Sequence, residues 1–204
     1  MPKRDYKIYG ENGYFHAFNR GNNYQKVFLD EEDYNFFLLK MRQNIFPDEG
    51  LKRMNPLPIG SFSILSYCLM PNHFHLLLRQ CGKYTAQQLI LRICTSYSKY
   101  FNKKYKRVGH VFQDRFKQVE ICDDEQLLWL HAYINLNPVL DKIVDSPEKY
   151  MWSSFNEIAG VPSDICDKSF ILERLSDTPG VIKFMKDALP VLRINKELRK
   201  FKFE

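Results

Sequence analysis

The sequence predicts an α+β fold: a ferredoxin-like or RRM-like antiparallel sheet with helices on one face, followed by a mostly helical C-terminal extension. Three observations lead there. Strand-like and helix-like hydrophobic patterns follow one another in the order β-α-β-β-α-β-α between residues 14 and 137. Polar capping residues (Asp30, Thr85 and Asp123) each stand just before an apolar helical repeat. A Pro71-Asn72 pair splits one long apolar run into two strand-length halves, as a β-hairpin requires.

The elements follow in order. Tyr14 to Asn19 is a short aromatic-rich strand, and Arg20-Gly21-Asn22-Asn23 after it is turn chemistry. Asp30 opens a helix with Glu31, Glu32 and Asp33 at its positive end, and Tyr34, Phe37, Leu38, Met41 and Ile45 recur at helical spacing. Pro47 to Gly60 reads as a loop. Ser61 to Met70 and His73 to Arg79 form the hairpin. Thr85-x-x-Gln88 is a capping box for a second helix carrying Ala86, Leu89, Ile93, Tyr97 and Tyr100. Val111 to Ile121 reads as a strand. Asp123 caps a third helix with Leu127, Leu130 and Ile134, which Pro138 is expected to stop near Asn137. Beyond Asp145 the patterning predicts short helices at Trp152 to Ala159 and Phe170 to Leu175, then a basic end from Val191 to Phe203. Residues 1–160 are expected to form the main domain, and residues 161–204 an extension not clearly separate from it.

Composition narrows the function. The chain has 204 residues, 45% hydrophobic and 26% charged, which suits a packed globular core. A net charge of +6 and an isoelectric point near 9.0 favour a polyanionic partner. Five Cys, an odd number with no C-x-x-C pair, argue against a disulfide framework or zinc knuckle and point to a reducing cytoplasm. No apolar run resembles a signal peptide or a membrane span, so no membrane partner is expected. P-loop and dinucleotide-binding glycine motifs are absent, as are G-x-S-x-G and H-E-x-x-H.

Three features can carry chemistry. His73 and His75, two apart in a strand, share one face and are placed to hold one metal ion; packed structural histidines would show the same spacing. Tyr133 and Asn137 stand one turn apart on the third helix, so a phenol and an amide can point to one place. One Tyr among 12 would otherwise read as packing. Lys99, Lys103, Lys104 and Arg107 alternate with Tyr97, Tyr100, Phe101 and Tyr105, and Arg115 and Lys117 follow. Such a stretch suits phosphates and unpaired bases, and equally a solvated helix end.

Met70-Pro71-Asn72-His73-Phe74-His75-Leu76-Leu77-Leu78 resembles the His–hydrophobic–His signature of the HUH tyrosine transposases. Tyr133-Ile134-Asn135-Leu136-Asn137-Pro138-Val139 is similar to their catalytic-helix segment. Phe18-Asn19-Arg20-Gly21-Asn22, Gly109 to Lys117 and Trp152-Ser153-Ser154 also look like that family, in the same order. The resemblance runs from about Tyr14 to about Gly160 and is nearest to the REP-associated group of the insertion-sequence-200-like transposases.

The resemblance implies that Tyr133 is the nucleophile, that His73 and His75 bind a divalent metal, Mg2+ or Mn2+, and that Asn137 takes the place of a polar third ligand where relatives carry Gln. It implies cleavage and rejoining of single-stranded, hairpin-containing DNA through a 5′-phosphotyrosine, by a monomer or a homodimer. Arg20, Gln113 and Arg115 match family positions, and with Lys99, Lys103, Lys104, Arg107 and Lys117 they form the expected DNA-binding set. Imidazole suits Mn2+ better than Mg2+, so little metal is expected to bind without DNA. A host-adopted enzyme acting on repeated palindromes would use the same chemistry. A replication or conjugation nickase fits the short hairpin less well. A non-catalytic RRM-like binder would not need the trio of His73, His75 and Tyr133.

Overall fold

The apolar runs on either side of Pro71-Asn72 form the expected hairpin. In the computed structural model, which describes residues 12–47 and 57–194, β2 (Phe62–Met70) and β3 (His73–Gln80) pair antiparallel. β1 (Tyr14–Arg20) lies antiparallel to β3, and β4 (Lys117–Ile121) antiparallel to β1, giving the order β2-β3-β1-β4. α1 (Glu31–Ile45) joins β1 to β2, and α2 (Ala86–Lys104) joins β3 to β4, which completes the ferredoxin-like plan. The caps form as read. Asp30 accepts the Asp33 backbone N–H, and Thr85 and Gln88 close a reciprocal capping box.

α1 and α2 cover one face of the sheet. Phe15, Phe74, Leu76 and Leu78 point into that core against Phe37 and Tyr97. α3 (Asp124–Leu140), capped by Asp123, lies on the opposite face with Leu65, Cys68, Met70 and Leu77 beneath it. The expectation of helices on one face therefore describes α1 and α2, and α3 adds a second layer. The reason is its sequence. Leu127, Leu130, Ala132, Ile134, Leu136 and Val139 spread around the helix, so α3 must be covered on more than one side. The sheet covers one side and α6 (Thr178–Ile194) packs in the same core.

Other expectations are corrected in detail. The strand read over Val111–Ile121 is only Lys117–Ile121, because Val111 and Phe112 turn into the first core and leave the plane of the sheet. Pro138 does not stop α3, which runs on to Leu140. A proline in the last turn removes one N–H, and Asp141 N–H still closes the helix on the Asn137 carbonyl. Trp152-Ser153-Ser154 is not helical but runs along β2, with Leu69 N–H bonded to the Trp152 carbonyl at 2.8 Å. α4 (Phe155–Ile158) and α5 (Ser169–Leu175) follow it.

α6 is longer than anything read in that region. Val181, Met185, Ala188 and Leu192 form its buried stripe. In β2 a bulge between Ile64 and Ser66 switches parity, so Phe62 and Ile64 share a face with Tyr67 and Leu69. The loop expected at Pro47–Gly60 and the basic end at Val191–Phe203 lie partly outside the described residues. Among the described residues no helix is long and apolar enough to cross a membrane.

Candidate active site

The hairpin turn fixes where β3 begins. The Pro71 carbonyl accepts the N–H groups of Val27 and Phe28 at 2.8 and 3.1 Å, and the Asn72 carbonyl accepts Gly21 N–H at 2.7 Å. Gly21 is needed here for its size. A Cβ on it would sit 2.1 Å from the Gln25 carbonyl oxygen. With the turn clamped, strand alternation sends Phe74, Leu76 and Leu78 into the first core. His73, His75 and Leu77 point to the side of α3.

The two imidazoles lie edge to face, 5.0 Å between centroids at 90°. His73 Nδ1 is 2.6 Å from the Asn72 side-chain oxygen, which can only accept, so Nδ1 carries the proton and Nε2 is bare. Asn137 stands beside His73 and acts to raise its pKa, and its oxygen is buried without a hydrogen-bond partner. His75 is 1% exposed. Its Nδ1 meets His16 Nε2 of β1 at 2.9 Å, and its Nε2 is buried without a partner.

Burial, and then the charge of Arg20, lower the His73 pKa from 6.5 to about 4. Burial, then His73, His16 and Arg20, push His75 well below 6.5. Both rings are neutral at neutral pH, the state in which imidazole binds a cation.

α3 reaches this corner in one azimuth. His131 Nδ1 is bonded to Ser66 Oγ of β2. Asn135 accepts from Ser154 Oγ at 2.8 Å and donates to the His131 carbonyl at 3.0 Å. These buried contacts pin α3 to β2 and to the 152–154 segment. The Tyr133 ring then packs 5.5 Å from His75 at 80°, with Asn137 one turn on beside His73. Tyr133 is 2% exposed.

The open cleft beside this cluster, about 390 Å³, is lined by His73 and His75 but not by Tyr133 or Asn137. Arg20, Gln113, Arg115 and Lys117 stand around it. The 109–117 segment is held there by Gln113 N–H on the Arg20 carbonyl at 2.8 Å. Lys99 lines a second cleft of about 680 Å³ along α2, which shares Gln113 and Arg115 with the first.

The other basic residues expected at DNA stand elsewhere. Lys103 is exposed in the last turn of α2. The Arg107 guanidinium lies 5.4 Å from the Phe101 ring centroid and near Gln25. Lys104 is engaged by three carboxylates, Asp30, Glu32 and Asp33, at 2.7, 2.9 and 2.9 Å. Here Lys104 serves Asp33, which is fully buried and takes its counter-charge from it. His16, Phe18 and Tyr24 were missed by the sequence reading. His16 and Phe18 alternate in β1, and only the register with β3 brings them to His75.

The donor atoms suit a divalent cation, though sparsely. Among the described residues no three His, Cys, Asp or Glu side chains converge on one point. His75 Nε2 and the Asn137 oxygen are buried with no partner, and a cation between them and His73 would satisfy both.

The family model for "Transposase IS200 like" matches residues 35–137. Among solved structures, a REP-associated tyrosine transposase bound to a REP hairpin superposes with a TM-score of 0.57 and 16% identity. That alignment covers 83% of this chain and 96% of the other, and it shows a shared fold. A protein assigned as a transposase from Deinococcus radiodurans R1 aligns at 13% identity and a TM-score of 0.39, over 66% of this chain and 95% of its own. No curated protein matches the sequence significantly.

Proposed function

The chain belongs to the IS200-like transposases, and from that premise we propose that it cleaves and rejoins single-stranded DNA through Tyr133. One observation carries this reading: Tyr133 and Asn137 of α3 meet His75 and His73 of β3 in one buried cluster that leaves His75 Nε2 and the Asn137 oxygen without partners.

His73 and His75 would hold a divalent ion, Mn2+ or Mg2+, with Asn137 offering its unpartnered amide oxygen. Such an ion would polarise the scissile phosphate and offset its developing charge. Arg20, Arg115 and Lys117 on the rim would bind the phosphates on either side. Phe18 and Tyr24 add ring faces on which unpaired bases can stack.

The Tyr133 oxygen attacks phosphorus and loses its proton as the P–O bond forms. The bond to the 3′-oxygen breaks, and that oxygen takes up a proton to become a hydroxyl. The DNA is left as a 5′-phosphotyrosine and a free 3′-hydroxyl. Attack by a 3′-hydroxyl on the phosphotyrosine reverses the balance and reseals a strand. The phosphodiester energy stays in the link, so no nucleotide triphosphate is required.

The hairpin bound by the REP-associated relative makes hairpin-containing single strands the substrate to try first. Incubation with such a labelled strand and Mn2+ should give a protein–DNA adduct that survives denaturation. Tyr133→Phe should abolish the adduct while binding persists. An adduct formed by the Phe variant would remove Tyr133 as the nucleophile.

A further inference from the structure

Resting on the reading of His73 and His75 as metal ligands, we propose that His16 is a positioning residue for that site. It offers His75 Nδ1 an acceptor, the arrangement that leaves a bare Nε2 aimed at the cation, and it does so without adding charge.

His16 is fully buried, and its Nε2 lies 2.9 Å from His75 Nδ1. The two rings are nearly parallel, 5.1 Å apart at 19°. Phe18 stacks on both, at 4.7 Å from His16 and 5.8 Å from His75. The plane of His75 is therefore set by β1 and does not turn freely.

A hydrogen bond between two neutral imidazoles can run either way. If His16 donates, His75 is protonated at Nε2, and that N–H points into the site where a cation would sit. If His75 donates from Nδ1, its Nε2 is bare and the spare proton is on His16 Nδ1. Both outer atoms, His75 Nε2 and His16 Nδ1, lack partners, so other contacts do not decide between the two. Only the second arrangement can bind metal, and His16 makes it available by offering an acceptor in the right plane.

The partner that orients a metal-bound histidine is commonly a carboxylate or a backbone carbonyl. A neutral imidazole orients without lending negative charge. His73, His75, Asn137 and His16 are then all uncharged, and the one carboxylate lining the adjoining cleft is that of Asp114. A site of this kind should hold a dication well only when a phosphate supplies the missing charge.

Two measurements test this. In the metal-free wild-type protein, long-range 1H–15N spectra should show His75 protonated at Nδ1 and His16 at Nδ1. A His75 ring protonated at Nε2 overturns the proposal without any metal being involved. Mn2+ binding is then followed by electron paramagnetic resonance with a single-stranded hairpin DNA present, in a Tyr133→Phe background so that no cleavage occurs.

His16→Leu should weaken Mn2+ by about 10- to 100-fold. His16→Gln, which keeps a neutral acceptor, should recover most of that loss. Equal Mn2+ affinity in the parent and the Leu variant overturns the proposal, as does a Gln variant no better than Leu. If the parent itself binds no Mn2+ with DNA present, the metal reading fails, while the tautomer still decides what His16 does.

Discussion

Lys104→Met separates a structural cation from one that touches DNA. Asp33 is fully buried at the start of α1 and gathers four donors. They are Leu29 N–H at 2.8 Å, Tyr105 Oη at 2.8 Å, Tyr100 Oη at 3.1 Å and Lys104 Nζ at 2.9 Å. The first three are neutral, so Lys104 supplies the charge among them. Removing one partner of a buried pair costs about 3–5 kcal/mol. Here the three neutral donors stay, and the Lys104 side chain is 20% exposed, which lowers the expectation to about 2–4 kcal/mol. The bonds to Asp30 and Glu32, whose side chains are 50% and 69% exposed, add little. At about 2–4 °C per kcal/mol for a chain of this size, the melting temperature should fall by roughly 5–15 °C. Adding Asp33→Asn should return part of the loss, with a coupling of about 2 kcal/mol in a double-mutant cycle. Affinity for hairpin single-stranded DNA, measured by fluorescence anisotropy against salt well below the melting temperature, should keep its slope. A variant that melts within about 1 °C of wild type while its salt slope falls by about 0.7 would refute this account and return Lys104 to the DNA.

Arg115→Ala gives the opposite pattern. It should leave melting nearly unchanged and lower the salt slope by about 0.7, and an unchanged slope would take Arg115 out of the phosphate path. Gly21→Ala should destabilise by about 1–3 kcal/mol through the 2.1 Å contact with the Gln25 carbonyl and should also lower adduct yield. Wild-type melting and yield would show that the 21–28 loop yields freely and does not fix the turn before His73. Acid should unfold the protein. His16 and His131 are held at about 3 and His73 at about 4, all by burial first, against 6.5 unfolded. Below about pH 6.5 the unfolded chain takes protons that the folded one refuses. The stability from neutral burial is thus complete above that pH and is lost as pH falls toward 3–4. Each ring contributes up to about 1.4 kcal/mol per pH unit. His131→Leu should remove about one such contribution in urea melts between pH 6 and 4.5, and an unchanged slope would show that His131 already titrates in the native state.

What could be read from the sequence was local. Asp30, Thr85 with Gln88, and Asp123 each bond within one turn, so residue type and spacing suffice to place a cap. The common face of His73 and His75 follows from strand parity once Pro71-Asn72 is read as a turn. Non-local facts were out of reach. His16 meets His75 across 59 positions, through a register that neither strand encodes alone. Lys99 and Lys104 look alike in sequence, yet one lines a cleft and the other is spent on Asp33, because the approach of α1 to α2 decides which cation is taken. The side of the sheet that α3 covers could not be read from its own pattern, since its apolar residues run round the helix and mark no single face.

The separate cores explain how so apolar a setting can present polar chemistry. β3 is gripped on one face by Phe74, Leu76 and Leu78, so its opposite face needs no further anchoring and can carry His73 and His75 where α3 ends. The cluster there is neutral, while the rim sets Arg20, Arg115 and Lys117 against the single carboxylate of Asp114 and is cationic on balance. Arg20 already helps to lower the His73 pKa, and it would oppose a bare dication in the same way. On the proposed function a DNA phosphate would change the sign of that balance, being drawn in by the rim and then attracting the cation. On the proposed function the two ligands must therefore bind cooperatively. By linkage, the factor by which DNA strengthens Mn2+ binding must equal the factor by which Mn2+ strengthens DNA binding. Titrations of each ligand with and without the other, on the uncleavable Tyr133→Phe protein, would show equal factors above one. Independent binding would mean that the phosphate does not come to rest at the histidines.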